Sequence, residues 1–324
     1  MQEHLVPGAV AGVVTRDGRT RIRAYGHAQI EPEVVPLNEK MYFDLASLTK
    51  VFLTLRAVLR HAEEVRLDLD SSAYNWLPEV LNVPGKPLGT ASLRSLLTHQ
   101  AGLPASPRTH DWPGPASARL KRVPTEPWPL GPNVYSDTGY ILLGLVVERI
   151  EGSRLAHLTL DEGFSFAPPA EATVATERCA LRGRMLRGEV HDENAFALGG
   201  VAGHAGLFGT IHGVLNTLLG ILRQTWLSPA ALEEMLRPAS PTRALGWERK
   251  HPGWSGGSLA SPAAIGHTGF TGTGCWIDPV RGVGWALLTN DVHPLRGDAA
   301  PIINLRRFFG NAVAATHSRA AGEL

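Results

Sequence analysis

The sequence predicts an α+β fold: an antiparallel β-sheet flanked by N- and C-terminal helices, with a mostly helical insertion between its two halves. Three observations carry this expectation. Short β-prone runs with turn signals occupy both ends of the chain, apolar residues at helical spacing fill the middle, and a last helix-spaced segment, "AAPIINLRRFFGNAVAATH", closes it. The expected division is a discontinuous sheet domain, 1–62 and 242–324, and a helical domain, 63–241, with the site in the cleft between them.

The first element is a hairpin. "GAVAGVVT" and "TRIRAYGHA" are separated by "RDGR", with Asp-Gly at the turn. "SLTKVFLTLRAVLRHAEE" then sets Val51, Leu55, Val58 and Leu59 at the period of a buried helix, with Ser47 at its start. Ser47 and Lys50 therefore share one helical face. "SLRSLLTHQAG", "SDTGYILLGLVVERIEG", "IHGVLNTLLGILRQTW" and "SPAALEEMLR" read as the helices of the middle. Between the first two, "GLPASPRTHDWPGPASARLKRVPTEPWPLGP" is dense in proline and tryptophan; it reads as an ordered loop over a cleft, too broken for a helix. After Pro241, "AAIGHTGFTGTGCWIDP" and "VGWALLTNDV" form a second hairpin across "DPVRG".

With 324 residues, 44% hydrophobic content and a formal charge of +1, the chain can bury a large core. It offers no electrostatic footprint for nucleic acid or an anionic membrane. No run approaches the roughly 20 apolar residues of a membrane span, and "MQEHLVPGAVAGVV" lacks the pattern of an export signal, so a cytoplasmic location is expected. Cys179 and Cys275 are expected to be free thiols.

A serine hydroxyl becomes a useful nucleophile only beside a base. A lysine one helical turn away serves if burial or nearby positive charge lowers its pKa, and a helix N-terminus favours the negative charge that develops. Ser47-Leu48-Thr49-Lys50 has that spacing in a chain with only five lysines. "PNVYSDTGY" adds Tyr135, Ser136 and Asp137, and "IGHTGFTGTG" adds His267, Thr268 and Gly269. In this order the three motifs resemble those of the serine β-lactamase and penicillin-binding protein superfamily, in its class C-like branch of β-lactamases, D-stereospecific peptidases and esterases, from about Val6 to Val292.

The resemblance implies the β-lactamase/transpeptidase-like fold and an acyl-enzyme on Ser47. Lys50 and Tyr135 would share the proton, either being the formal base, and the N–H groups of Ser47 and Phe270 would form the oxyanion hole. Asp137, His267, Thr268 and Gly269 would contact substrate. "GEVHDENAFALGGVAGHAGLFGT" is similar to a sub-branch that includes amidases acting on N-acetylmuramoyl peptides, which adds His191 and His204 as expected substrate contacts.

Two departures modify these expectations. Asp137 stands where many β-lactamases of the branch have Asn; a carboxylate cannot donate to a substrate carbonyl and raises the pKa of a neighbouring lysine, so β-lactam turnover should be weak. His267 stands where most penicillin-recognising enzymes have Lys, so hold on an anionic substrate should fade as pH rises through its pKa. The glycines from 199 to 209 lack the Gly-Lys-Ser/Thr of a phosphate loop. His191, Asp192, His204 and His212 lack metal-ligand spacing, and no metal or cofactor is expected. The expected function is a short-chain esterase with weak β-lactamase activity, followed by a muropeptide amidase or peptidase. A penicillin-binding sensor without turnover is the reading from a different class. The partners expected are small esters, β-lactams or muropeptides.

Overall fold

The computed structural model describes residues 6–82 and 90–317. In chain order its strands are β1 (Gly8–Thr15), β2 (Thr20–Gln29), β3 (Val35–Pro36), β4 (Phe43–Asp44), β5 (Phe164–Ser165), β6 (Arg178–Cys179), β7 (Arg184–Met185), β8 (Phe208–Gly209), β9 (Glu248–Arg249), β10 (Ile265–Thr268), β11 (Gly274–Asp278) and β12 (Val283–Thr289). The main sheet runs β3-β2-β1-β12-β11-β10-β9, every pair antiparallel. Its centre is the pairing of β1 with β12, from Ala9 opposite Thr289 to Thr15 opposite Val283, which joins the two ends of the chain. Both expected hairpins form. Gly18 at the first turn has a φ of +94°, a conformation glycine adopts without strain.

The helices are α1 (Arg56–Glu63), α2 (Leu93–Leu97), α3 (Ala116–Arg122), α4 (Asp137–Glu151), α5 (Glu193–Ala197), α6 (Ile211–Arg223), α7 (Pro229–Leu236) and α8 (Ala300–Thr316). They cover both faces of the sheet. On one face α8 packs Ile302 and Val313 against Val283, Trp285, Leu287 and Trp276. On the other, Val10, Val14, Ala286 and Leu288 meet α6 and the larger core. The alternation along β12 is the two-residue period of a strand buried on both sides. Position 12 must be small, because a Cβ there would lie 2.7 Å from Leu215 of α6. Thus α6, although inside the 63–241 segment, is a cover for the sheet.

The segment 102–132 corrects one expectation. Seven residues free of proline, Ala116–Arg122, form α3, with Pro115 as its cap: proline tolerates a helix start and breaks only its interior. The rest of the segment packs partly on itself and partly on the main core and α5, where His110 Nδ1 lies 3.0 Å from Asn194 Oδ1. Trp112 stacks on Trp128 at 5.7 Å, and the Arg122 guanidinium lies 4.3 Å from the centre of the Trp112 ring. Cys179 and Cys275 are buried free thiols. No helix of the described residues is long and apolar enough to cross a membrane.

Trp285 is fully buried between the sheet and the α8 layer, on the face away from the nucleophile helix. Trp285→Ala should destabilise the fold by about 3–5 kcal/mol in urea unfolding and leave activity per folded molecule unchanged.

Candidate active site

Ser47 sits in a tight 3₁₀ turn, Ala46–Leu48, that runs through a π-helical stretch, Lys50–Leu55, into α1. Val51, Leu55, Val58 and Leu59 are buried as their spacing requires. The turn is strained at its start, since Ala46 has a φ of +46°. Asp44 holds it there: its Oδ1 accepts from Ala46 N at 2.8 Å and its Oδ2 from His191 N at 2.6 Å. Burial raises the Asp44 pKa, and these N–H donors oppose the rise.

Lys50 Nζ donates to Ser47 Oγ at 2.8 Å and to the His204 carbonyl at 3.3 Å, and it pairs with Asp137 Oδ1 at 2.8 Å. The lysine side chain has 0% exposure, and Nζ lies 4.9 Å from the centre of the Tyr135 ring. Burial pushes its pKa down, but Tyr135 and Asp137 together outweigh burial and hold it above the ordinary value. Asp137 is free to do this because Ser136 caps α4, accepting from Gly139 N at 3.2 Å. Asp137 can therefore spend its carboxylate on the ammonium.

His99 sets the Tyr135 ring. The two rings lie 4.5 Å apart, and His99 Nδ1 accepts from Ser136 N at 3.0 Å. Burial, with Arg243 and Lys50, drives the His99 pKa down to about 3. Arg243 lies 5.5 Å from the Tyr135 ring centre and has no carboxylate partner among the described residues.

His267 and Thr268 end β10 and Gly269 follows it, beside the Ser47 turn. A Cβ on Gly269 would fall 2.5 Å from the Leu45 carbonyl, so only glycine allows the approach. The following turn is tied to the same segment, Thr271 Oγ1 donating to Asp44 O at 2.7 Å and Thr273 Oγ1 to Leu45 O at 3.2 Å. His267 is buried and its Nδ1–H donates to Thr268 O at 2.9 Å. Burial, then Lys50 and Arg243, lower its pKa well below the ordinary histidine value. This corrects the expected pH-dependent grip on anions: the imidazole is neutral throughout the range in which it was to switch.

Ser47, Tyr135, Arg243, His267, Phe270 and Arg296 line one cavity of about 460 Å³, with Thr268 and Gly269 on its wall. Phe270 is 60% exposed at the mouth, between the His191 ring at 5.6 Å and the Arg296 guanidinium at 5.3 Å. The two histidines of the glycine-rich segment take other places. His191 is buried against Glu177, Nε2 to Oε2 2.9 Å, and touches the cavity only through Phe270. His204 is buried against Asp192, Nε2 to Oδ1 2.9 Å, and serves Lys50 with its backbone carbonyl. Asp192, Asp137 and His204 bring ligand atoms within 4.8 Å of one another, but the Lys50 ammonium already lies on Asp137 and the His204 carbonyl. The positive charge at this point belongs to the protein.

The beta-lactamase family profile matches residues 1–307. The chain belongs to the beta-lactamase family. This beta-lactamase-family chain is 34% identical to an N-acetylmuramyl-L-alanine amidase of Bacillus subtilis strain 168, over 89% of its own length and 78% of the relative's. It is 30% identical to a protein of Escherichia coli K12 provisionally named D-alanyl-D-alanine carboxypeptidase, over 87% and 76% of the two lengths. A class C beta-lactamase from Rhodobacter sphaeroides shares the fold, with a TM-score of 0.71 at 20% identity over 98% and 97% of the chains. The α+β fold expected from the sequence is thus the family's, and the protein is a serine hydrolase. His99, Arg243, Arg296 and Arg306 were not singled out in the sequence; His99 lies in the quoted "SLRSLLTHQAGLP", the arginines in no motif.

His99 and His267 are held neutral in the folded chain and take up protons near pH 6.5 when unfolded. Below that pH the unfolded state binds more protons, so stability falls as pH falls, for His99 down to about pH 3. Urea unfolding at pH 4.5 should show about 2–3 kcal/mol less stability from His99 than at pH 7. His99→Gln should reduce the difference by that amount; an unchanged difference contradicts the assignment.

Proposed function

We propose that the chain hydrolyses amide bonds in anionic peptide fragments of the bacterial wall through an acyl-enzyme on Ser47, accepting short esters as surrogates and β-lactams poorly. The observation that carries this reading is the ammonium of Lys50 fixed between Ser47 and Asp137. A lysine whose pKa is held up is a poor base, which leaves Tyr135, in the same cavity as Ser47, to take the proton.

Because Ser47 Oγ accepts from Lys50, its own hydrogen is left to donate to the Tyr135 oxygen. Oγ then bonds to the scissile carbonyl carbon, and the carbonyl electrons move to the oxygen, which the Ser47 and Phe270 N–H groups stabilise. Collapse breaks the C–N bond, and the amine leaves with the proton held by Tyr135. In deacylation water loses its proton to Tyr135, attacks the acyl carbon and releases Ser47 with that proton. Tyr135 accepts each proton as its phenolate, becomes the neutral phenol, and returns to phenolate when it passes the proton on; the buried Lys50 ammonium offsets that negative charge.

Substrate class follows from what the cleft offers. Among the described residues of the cavity Arg243 is the cation left to hold a carboxylate, since Lys50 is paired with Asp137, Arg296 with Glu177 and Glu193, Arg306 donates to backbone carbonyls and His267 is neutral. Asp137, 22% exposed, accepts an N–H and repels a carbonyl. A wall peptide supplies both a carboxylate and N–H groups, and the names of the amidase and carboxypeptidase relatives support this choice over a simple ester. For the same reason, the ester reading becomes a surrogate activity.

The test compares N-acetylmuramoyl-L-alanyl-D-isoglutamine, p-nitrophenyl butyrate and nitrocefin. Wild type should turn over the first two and Ser47→Ala neither. Asp137→Asn should lose about tenfold or more on the muropeptide and gain on nitrocefin. Arg243→Ala should raise KM for the muropeptide and spare the neutral ester, with a wild-type KM flat between about pH 5.5 and 8. An Asp137→Asn enzyme slower on the ester with no gain on nitrocefin contradicts the reading. A lasting adduct without turnover would make the protein a sensor.

A further inference from the structure

The turn after β10 is held from behind by one side chain of α8. Arg306 is buried, and its Nη2 donates to the Gly269 carbonyl at 3.2 Å and to the Thr273 carbonyl at 2.9 Å. Gly269 N also donates to Thr273 O at 2.8 Å, and Thr289 Oγ1 takes the Gly272 carbonyl at 3.0 Å. The carbonyls at 269, 272 and 273 all have donors, the Gly269 oxygen taking the Gly272 N–H at 3.2 Å as well as Arg306. The front of the turn is tied to the nucleophile segment by Thr271 and Thr273.

The geometry of a peptide gives this arrangement a consequence. The bond between Gly269 and Phe270 is trans, the cis bonds of the described residues being Glu31-Pro32 and His293-Pro294. In a trans peptide the C=O and the N–H of the same plane point in opposite directions. A donor that fixes the Gly269 oxygen toward α8 therefore points the Phe270 N–H away from α8. The nucleophile turn adjoins this peptide, Thr271 Oγ1 reaching the Asp44 carbonyl, Thr273 Oγ1 the Leu45 carbonyl and a Cβ on Gly269 falling 3.3 Å from that of Ala46, while Arg306 borders the same cavity from α8. A cation on the carbonyl also polarises the plane and strengthens its N–H as a donor.

We infer that Arg306 is a positioning residue that aims and strengthens the Phe270 N–H of the oxyanion hole through the Gly269–Phe270 peptide. The inference rests on the proposed role of Phe270 in acyl transfer. Arg306 takes no proton and touches no reacting atom. Its effect falls on the tetrahedral state, when negative charge reaches the oxygen, so it belongs in kcat and leaves substrate binding nearly unchanged.

The experiment pairs ester kinetics with inhibition by phenylboronic acid, whose tetrahedral adduct on Ser47 places an oxygen where the oxyanion forms. Arg306→Gln should lower kcat by about 10- to 100-fold, weaken the boronic acid by a similar factor and keep KM within about threefold. Arg306→Lys keeps a charged donor on a shorter stem and should fall between it and wild type; it also stays readable if the glutamine variant does not fold. A variant that unfolds like wild type and keeps both kcat and boronic acid affinity within about threefold overturns the inference, as does one whose kcat falls while that affinity holds. Wild type that forms no Ser47 adduct overturns the proposed function itself, and this inference with it.

Discussion

A lysine ammonium buried with no exposed surface is the constraint on which the rest of this structure depends. Isolated, such a charge would cost several kcal/mol, and the group would lose its proton instead. Here three segments far apart in sequence deliver a hydroxyl from residue 47, a carboxylate from 137 and a carbonyl from 204. Each partner comes from a different element: the strained turn ahead of α1, the first turn of α4 and the glycine-rich loop before β8. Meeting at one nitrogen fixes how the helical segment sits on the sheet. Removing Asp137 would take away the carboxylate in contact with the ammonium.

That charge also explains its neighbours. His99 and His267 flank Tyr135, and burial, then repulsion from Lys50 and Arg243, keeps both rings neutral. Lys50 is paired with Asp137, Arg296 with Glu177 and Glu193, and Arg306 with backbone carbonyls, so that among the described arginines of the cavity Arg243 has no carboxylate partner. Under the proposed function, the same carboxylate that helps keep Lys50 charged disfavours a β-lactam's acylamino carbonyl and favours an N–H.

The sheet was legible because its signals are local: two-residue alternation, an Asp-Gly turn and a second hairpin across "DPVRG". α3 was not, because surrounding prolines hide seven helical residues from a reading by composition. Ser47, Lys50, Tyr135 and Asp137 could be named since each lies in a short motif whose spacing reflects its chemistry. Arg243 and Arg306 could not, because only the folded chain carries them to Tyr135 and to the Gly269 carbonyl. His267 was found, but its charge was misjudged: burial decides that, and burial is a property of the fold. His204 was noticed for its ring, whereas its carbonyl is what meets Lys50.

The charge of Lys50 can be read directly. With ¹³C,¹⁵N-lysine labelling, five side chains contribute, and Lys50→Met removes one signal and so assigns it. Following the Lys50 Cε and Nζ shifts from about pH 6 to 10, the account expects an ammonium throughout the range. A Lys50 signal that moves to the neutral amine near pH 7 or 8 would make the lysine the base and contradict the central claim.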